Sequence, residues 1–354
     1  MSRRDPYEDN YRTSRKPQIR RNRIFMVLIL VAIAAIAVAA VFHYVTNQKL
    51  DGDIGYTDDT SSANADIITY DGKQYRLNDH LTNCLFMGVD TSGDIQTAKL
   101  STEAGQSDSI FLVSYNRQKK TTFLTALPRD TITQIETFSA DGKSLGYTMD
   151  HLNLQYAYGD GKEKSCRLSM KAVSKLLNNI PITKYCAMNL NSIPDLTGEL
   201  DGVQVVVPDD SLEQYDSTFK KGATVTLTPE NTELFLRKRD TTQSQSALAR
   251  MKRQSVFINA FIDRVTELQK KDEGTVSHLY DKMQEKLITN MGSDDFLHLA
   301  MARKGDTTTI PGEGGEGEDG FDIYTVDDSA LFKYILDNFY VEVGSSEDET
   351  VSIK

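Results

Sequence analysis

Asp108 and Arg129 fall where a predicted hairpin would bring a carboxylate and a guanidinium group together. The apolar runs at residues 110–115 and 122–127 are joined by a polar turn, a pattern that predicts a β-hairpin centred near Gln118. In that register the two charged residues share the open end of the hairpin. They would form either part of a binding site or a structural ion pair, and the spacing alone is compatible with both.

Asp90 supplies a second carboxylate at this edge. It follows the apolar run at residues 84–88, and a strand there, placed beside the hairpin, would bring Asp90 close to Asp108. Mg²⁺ in phosphate sites is held by one or two carboxylates plus phosphate oxygens, and arginine binds phosphate in a bidentate manner. The sequence therefore predicts a phosphate site in which Asp90 and Asp108 are the metal ligands.

A helix predicted over residues 247–268 supplies a second phosphate-binding signal. Its apolar stripe continues towards the N-terminus through Arg250 and Gln254, with Arg253 adjacent. Arginines on the side of a helix that faces the core point into a cleft, whereas those of a solvated face lie opposite the apolar stripe. The first two turns of this helix are therefore candidates for contact with an anion.

Arg237 and Arg239 end the preceding predicted helix and add two more guanidinium groups. The planar guanidinium fork matches the oxygens of a phosphate. The alternative for these arginines is surface charge, or local pairing with Asp240.

The elements that must position these residues alternate between strands and helices. Short apolar runs predict strands at residues 84–88, 110–115, 122–127, 185–190 and 203–207. Helical periodicity predicts helices at residues 168–177, 229–236, 247–268, 276–287 and 329–338. Thr228 followed by Pro229 is typical of a helix start. The mixture favours a sheet covered by helices.

The first fifty residues predict a membrane segment. Residues 24–45 contain no Asp, Glu, Lys or Arg, and 22 helical residues span about 33 Å, enough for a hydrocarbon core. Residues 1–23 carry eight Lys or Arg and three acids, which places this end in the cytoplasm. The alternative is a cleaved signal peptide, although the apolar region of such peptides is shorter.

We expect a single-pass membrane protein with a large extracellular domain. The predicted parts are a cytoplasmic basic tail (1–23), a transmembrane helix (24–45), a stalk (46–79), a catalytic domain (80–343, core 81–265) and a disordered C-terminus (344–354). The stalk contains one predicted small hairpin at residues 67–76, and the Gly/Glu-rich stretch at 305–320 predicts a mobile surface loop.

Charge and composition exclude several classes of function. The net charge of the whole chain is −11 although the tail is basic, so the extracellular domain is acidic, which argues against nucleic-acid binding. Five histidines and no Cys-x-x-Cys pair give no sign of a zinc site or a Ser-His-Asp hydrolase. Among the three cysteines, Cys84 is expected to be an inert core thiol, and a bridge between Cys166 and Cys186 remains open.

Short motifs in a fixed order give a more specific signal. After the N-terminal apolar segment come, in order, LFMGVD (85–90), SDSI (107–110), LPRD (127–130), LNLQYAYG (152–159), DGVQVVVP (201–208), FLRKRD (235–240) and ARMKRQ (249–254). This series resembles the LytR–CpsA–Psr family of bacterial cell-wall proteins, over roughly residues 81–265.

The resemblance implies a three-layer α-β-α fold around a mixed sheet. It also implies transfer of a phosphoglycosyl polymer, such as teichoic acid or capsular polysaccharide, from a polyprenyl-pyrophosphate carrier to peptidoglycan. The acceptor would be a sugar hydroxyl, the C6 hydroxyl of muramic acid by resemblance. Partners would then be the lipid-linked polymer, peptidoglycan and membrane lipid, with no nucleic acid, and the cofactor would be Mg²⁺, with Mn²⁺ as a substitute. The alternative is a non-catalytic binder of lipid pyrophosphate that regulates envelope assembly.

Site residues follow from the motifs position by position. The resemblance implies acidic, Mg²⁺-associated roles for Asp90 and Asp108. The pyrophosphate-binding residues it implies are Arg129, Arg237, Arg239, Arg250, Arg253 and Gln254. The residues expected to take part in catalysis are Asp108, Arg129, Arg237 and Arg239.

This chain departs from the family pattern near the acidic residues. Members often carry arginine shortly after the Gly-x-Asp motif, where this chain has Thr91-Ser92-Gly93, and many have arginine at the position of Gln106. One phosphate-binding arginine is therefore missing, with Lys99 as a candidate replacement. The polyprenyl chain needs an apolar tunnel, which we expect to be lined by the helices at 168–177 and 247–268.

Overall fold

The structure is a computed structural model that describes residues 67–90, 104–139, 141–239, 246–318 and 320–345. The first strands along the chain are β1 (Ile68–Tyr70), β2 (Lys73–Leu77), β3 (Leu81–Asp90), β4 (Gln106–Asn116), β5 (Thr121–Leu127), β6 (Ile132–Phe138), β7 (Ser144–His151) and β8 (Lys184–Asn189). The later strands are β9 (Val203–Val206), β10 (Thr224–Leu227), β11 (Leu287–Thr289), β12 (Arg303–Thr309), β13 (Gly312–Glu316), β14 (Asp322–Val326) and β15 (Tyr340–Glu342).

The α-helices of the described residues alternate with these strands. They are α1 (Leu154–Ala157), α2 (Glu163–Leu176), α3 (Ile193–Glu199), α4 (Pro229–Arg237), α5 (Ser246–Lys271), α6 (Thr275–Met283), α7 (Ser293–Met301) and α8 (Asp328–Phe339).

A six-stranded mixed sheet forms the centre of the fold. Its order is β11-β8-β3-β4-β5-β12, in which β8–β3 and β5–β12 are parallel pairs and the other neighbours are antiparallel. Nearly every residue of β4 is buried, as expected for a central strand whose two faces are both covered. The mixed α/β fold predicted from the sequence is confirmed.

Helices cover both faces of this sheet. The alternation of side chains along β3 places Leu85, Met87 and Val89 in one core, together with residues of α2 and α8. Phe86, on the opposite face, packs against Phe296 of α7 and shares a cavity with residues of α5. The three layers are thus helices, sheet and helices.

The predicted strands and helices are confirmed, with one difference at a helix end. The predicted hairpin has Ile110 opposite Leu127, and its turn lies at residues 117–120. Helix α4 begins at Pro229, after a capping box formed by Thr228 and Asn231. The helix predicted over 276–287 ends instead at Met283, because residues 287–289 leave it to pair with β8.

The Gly/Glu-rich stretch at residues 305–320 was expected to be a loop, and this prediction was wrong. It contributes most of β12, the parallel edge strand beside β5, and all of β13, which pairs with β14. Residues 68–77, which we assigned to the stalk, form the predicted hairpin, but β2 also pairs with β15 near the C-terminus.

Several predictions fall outside the described residues: the basic tail, the apolar segment at 24–45, most of the stalk, Lys99, and most of the C-terminal segment at 344–354. A search of the described residues for a helix long and apolar enough to span a bilayer finds none.

Gly305 shows why a glycine-rich segment can join the central sheet. A Cβ at this position would lie 2.7 Å from the backbone oxygen of Thr122 on β5, closer than any side chain tolerates. Only glycine lets β12 approach β5 this closely. Glycine, which led us to predict a loop here, is therefore the residue type that β12 requires.

Gly305→Ala is expected to lower the free energy of unfolding by about 2 kcal/mol, because the added methyl group forces β12 away from β5. The measurement is thermal or chemical unfolding. Gly315→Ala in β13 is the matched control, since its Cβ would meet Ile323 at an ordinary 3.7 Å. Equal stability of the two variants would show that β12 does not pack on β5 as described.

Candidate active site

Asp108 owes its position to a bulge in the central sheet. The register of β3 and β4 passes from Gly88 opposite Ser109 to Val89 opposite Ser107, so Asp108 is the extra residue. A β-bulge bends the strand and re-aims the side chain at that point. The carboxylate is therefore directed out of the regular ladder, and its side chain is only 7% exposed.

Two arginines from different elements converge on this carboxylate. Nη1 of Arg129 donates to Oδ1 of Asp108, and Nη1 of Arg250 lies 3.2 Å from its Oδ2. Arg129 also donates from Nε to Asp130, at 3.0 Å. Burial by itself would lower the pKa of Arg129, but Asp108 and Asp130 outweigh it and the pKa is raised.

The backbone around Arg129 is held by Asn153, a residue for which no role was predicted from the sequence. The Asn153 amide donates to the carbonyl of Arg129 at 3.1 Å, and its side chain donates to Gln106 at 3.0 Å. One buried residue thus ties β4 to the Pro-Arg-Asp segment. The signal was present, because Asn153 belongs to the LNLQYAYG motif.

Arg250, on the first turns of α5, is buried but only partly satisfied. Its side chain is 8% exposed, and Nε and Nη2 have no hydrogen-bond partner among the described residues. Burial lowers the pKa of Arg250, Asp108 acts against this shift, and the nearby charges of Arg129 and Arg239 lower it further. A buried donor without an acceptor costs about 1–3 kcal/mol, and more when it is charged, so this guanidinium is prepared for an anion.

Arg237 and Asp90 form a second ion pair at the same end of the sheet. Nη2 of Arg237 lies 2.7 Å from Asp90 at the end of β3. Its Nη1 contacts Asn191 and, at 3.1 Å, Glu233. Asp90 lies opposite Gln106, two residues before Asp108 along β4, so the two pairs are neighbours.

Arg253 and Gln254 bind backbone carbonyls at the end of α4. Arg253 is 1% exposed and donates to the carbonyls of Phe235 (2.8 Å) and Lys238 and to the Ser211 hydroxyl (2.6 Å). Gln254 donates to the carbonyl of Leu236 at 3.1 Å. The last carbonyls of a helix lack intrahelical partners, and these two side chains satisfy three of them.

This geometry gives Arg253 a different role from the direct phosphate contact predicted from the sequence. Burial lowers the pKa of Arg253 to about 10, with partial compensation by Asp209 at 3.9 Å. Its donors point at the chain that carries Arg237 and Arg239. The structure therefore favours a residue that fixes the two cations in place.

An apolar cavity of about 270 Å³ opens beside these charges, between the sheet and helices α5, α6 and α7. Its polar end is formed by Ser109 and Gln254, adjacent to Asp108 and one turn from Arg250. From Gln254 to Val265 the wall formed by α5 runs for about 17 Å. The helix predicted over 168–177 does not line it, because α2 packs on the other face of the sheet.

The three cysteines supply no reactive group to this site, and Cys186 only lines the apolar cavity. All are free and buried, so the bridge between Cys166 and Cys186 does not form. Burial raises the pKa of Cys84 and of Cys186 to about 12, and that of Cys166 well above its usual value. The thiols are therefore protonated and unreactive at neutral pH.

The carboxylates of the site have the donor chemistry of a magnesium site completed by substrate. Among the described residues no group of three or more His, Cys, Asp or Glu side chains could hold a metal by itself. Asp90 and Asp108 are oxygen donors at neighbouring positions, and a carboxylate offers about four lone-pair sites. Mg²⁺ in phosphate sites commonly takes one or two carboxylates and completes its shell with phosphates and water.

Comparison with known proteins places this arrangement in a family. The model of the LytR_cpsA_psr family matches residues 43–336, which is most of the chain. This chain belongs to the LytR_cpsA_psr family. The resemblance drawn from the motifs is confirmed.

Relatives of this LytR_cpsA_psr member include named transferases. Polyisoprenyl-teichoic acid–peptidoglycan teichoic acid transferase TagV of Bacillus subtilis is 28% identical over 240 residues, covering 64% of this chain and 56% of TagV. The corresponding transferase TagU of Bacillus cereus is 27% identical over 251 residues, covering 70% of this chain and 74% of TagU. The crystal structure of B. subtilis TagV has a TM-score of 0.53 at 25% identity, covering 72% of this chain and 94% of that one.

Arg253→Ala is expected to lower the free energy of unfolding by about 3 kcal/mol, because it leaves buried carbonyls without donors. Arg264→Ala is the matched control: Arg264 also binds a backbone carbonyl, that of Leu200 at 3.0 Å, but its side chain is 26% exposed. The control should lose only about 1 kcal/mol. Chemical unfolding measures both, and an Arg253→Ala variant no less stable than the control would contradict the positioning role.

Proposed function

We propose that this protein transfers a phosphoglycosyl polymer, such as a teichoic acid, from a polyprenyl-pyrophosphate carrier to peptidoglycan. The observation that carries the proposal is the buried Arg250 guanidinium, whose Nε and Nη2 have no hydrogen-bond partner among the described residues, at the polar end of an apolar cavity. In a pyrophosphate attached to an isoprenoid chain, the pyrophosphate would bind the Arg250 guanidinium and the isoprenoid chain would fill the apolar cavity. The names of TagV and TagU support the same substrate class.

The charges of the site suit a phosphoryl transfer. A hydroxyl of the acceptor attacks the phosphorus that carries the polymer, and a new P–O bond forms. The bond to the lipid-side phosphate breaks, the lipid phosphate leaves with the electron pair, and the hydroxyl proton passes to solvent. Negative charge grows on the phosphoryl oxygens and on the leaving phosphate. Arg129 and Arg250 lie on either side of Asp108 and can hold these oxygens, while Arg237 and Arg239 approach from the end of α4.

Mg²⁺ is the proposed cofactor, with Mn²⁺ as a substitute, held by Asp90 and Asp108 together with the phosphates of the donor. When bound it would neutralise charge on the pyrophosphate. Asp108 meanwhile orients Arg129 and Arg250, so its loss would disturb two phosphate-binding groups at once.

The cavity is the proposed site of the polyprenyl chain. Its walls include Phe111, Phe257 and Phe261, and Ser109 and Gln254 line it at the end near Asp108 and Arg250. A lipid-linked donor and a wall acceptor place the reaction at the outer face of the cell membrane. The protein is accordingly proposed to be a single-pass membrane protein with its N-terminus in the cytoplasm, and its polymer to be a teichoic acid, a capsular polysaccharide or another secondary wall polymer.

Arg250→Ala is expected to reduce transfer about 10²–10³-fold, the usual effect of removing a donor that stabilises transition-state charge. The variant should still fold, because Asp108 retains its ion pair with Arg129. The assay supplies lipid-linked donor and peptidoglycan and measures both release of lipid phosphate and polymer on the wall, with and without a chelator. Arg167→Ala, on α2 at the other face of the sheet, removes a surface pair with Glu163 and should be as active as the wild type.

The same assay separates transfer from binding alone. Wild-type protein that binds donor but releases no lipid phosphate would overturn the proposed activity and leave a lipid-pyrophosphate binder. Full transfer by Arg250→Ala would overturn the assignment of the site. Undiminished transfer in the presence of a chelator would remove Mg²⁺ from the proposal.

Ala300→Leu is expected to raise KM for a long-chain donor about tenfold and leave a short-chain donor unchanged. Ala300 is a buried residue at the end of the cavity remote from Arg250, near Val265, and the larger side chain occupies space needed by the distal isoprenoid units. Ala302→Leu, outside the cavity, is the control. Equal changes with both donors would indicate that the chain does not reach this end.

A further inference from the structure

The β6–β7 hairpin carries a stripe of exposed apolar side chains. Leu145, Tyr147 and Met149 are 67%, 46% and 59% exposed. They are alternate residues of β7 and therefore share one face, along about 14 Å of strand. Contiguous exposed apolar surface of this kind marks an interaction site more often than scattered single residues do.

Three lysines of helix α2 border this stripe. Nζ of Lys175 lies 3.5 Å from the ring centre of Tyr147, and Nζ of Lys171 lies 5.4 Å from it. Lys164 lies 4.5 Å from the ring centre of Phe138, on the partner strand. Lys171 also pairs with Glu136 at 3.0 Å, whereas Lys175 meets the ring and the Gln134 amide rather than a carboxylate of the described residues. The face is thus apolar in the middle and cationic at its border.

The base of the hairpin is part of the wall of the candidate site. Strand β6 begins three residues after Arg129. At the other end of the hairpin Leu152 donates to the carbonyl of Thr131 at 2.9 Å, and Asn153 donates to that of Arg129. The exposed face is therefore continuous with the structure that holds the phosphate-binding arginine.

We propose that this face docks on an anionic lipid surface. Leucine and methionine side chains offer no hydrogen bonds to a glycan, but they are suited to the boundary between head groups and acyl chains. A tyrosine between apolar residues and lysines is typical of that boundary, where the ring sits at head-group level and ammonium groups reach lipid phosphates. Because the chain as a whole is acidic, with a net charge of −11, a local cationic border is needed for such contact.

Docking would place the rim of the site at the plane in which a lipid-linked pyrophosphate lies. The inference rests on the proposed function in one respect, which is that the donor is carried in a membrane. It goes beyond that function because it assigns a second contact with lipid, made by phospholipid rather than by the carrier.

The test uses the absence of tryptophan from the chain. Leu145→Trp introduces a single tryptophan, which can be excited selectively over the tyrosines, into the stripe of the full-length protein, reconstituted in vesicles of phosphatidylglycerol with brominated acyl chains. Met301→Trp is the matched control: Met301 is a 48% exposed aliphatic residue at the end of α7, next to the turn end of β5 and thus at the opposite end of the sheet from Arg129. No donor is present, so the result does not depend on transfer activity.

We expect a blue shift and quenching for Leu145→Trp but not for Met301→Trp, with both effects reduced in phosphatidylcholine or after Lys175→Gln. Equal emission and quenching of the two variants in anionic vesicles would overturn the proposal. A shift on addition of peptidoglycan fragments, without quenching by lipid, would also overturn it and assign the face to the acceptor. Met149→Trp repeats the test if the Leu145 variant fails to fold.

Loss of the stripe has a separate effect on turnover. In the double variant Leu145→Ser, Met149→Ser, transfer from a membrane-borne donor should fall roughly tenfold, whereas transfer from a short-chain soluble donor stays unchanged. If the protein proves to bind lipid pyrophosphate without transferring it, the fluorescence result still stands. If the Leu145→Trp variant is fully active but is not quenched by lipid, the proposed function stands and only the docking proposal is overturned.

Discussion

Asp108 forms ion pairs with two guanidinium groups that reach it from neighbouring layers of the protein, the central sheet and a helix that covers it. Arg129 comes from the end of the central hairpin, and Arg250 comes from the helix that covers the sheet. Charges this deeply buried are costly unless they are paired, and removing one partner leaves the other uncompensated. The bulge that aims Asp108 and the packing of α5 on the sheet are therefore both tied to this one carboxylate.

The pairing is incomplete in a way that defines the ligand. Asp108 and Asp130 together offset the charge of Arg129 and Arg250, while Arg239 adds a further positive charge close to Arg250. Two nitrogens of Arg250, Nε and Nη2, still lack acceptors among the described residues. The surplus of donors and of positive charge lies where the apolar cavity ends, so the ligand that completes the site must be an anion with an apolar chain.

The sequence predicted most of this arrangement because the strand ends and the apolar stripe of α5 are local patterns. Hairpin register placed Asp108 beside Arg129, and helical period placed Arg250 on the core-facing side of its helix, whereas their convergence on one site was implied only by the family resemblance. The position of the arginines in the first two turns of α5 could not separate the role of Arg250 from that of Arg253. The acceptors of Arg253 are backbone carbonyls at the end of α4, and the sequence does not indicate that these carbonyls lie beside it. Likewise, the sequence does not show that a Cβ on Gly305 would lie 2.7 Å from the backbone of β5, so the residue was assigned to a loop. The sequence also does not show which face of the sheet a helix covers, and α2 covers the face away from the cavity.

A structure of the protein bound to a prenyl pyrophosphate would show whether Arg250 and the apolar cavity hold the two parts of one ligand. We expect phosphate oxygens within hydrogen-bonding distance of Nε and Nη2 of Arg250, and the isoprenoid chain along α5 towards Val265. We also expect Arg253 to keep its contacts with the carbonyls of Phe235 and Lys238. A pyrophosphate bound away from Arg250, or an isoprenoid chain outside the cavity, would rule out this site as the place where the donor binds.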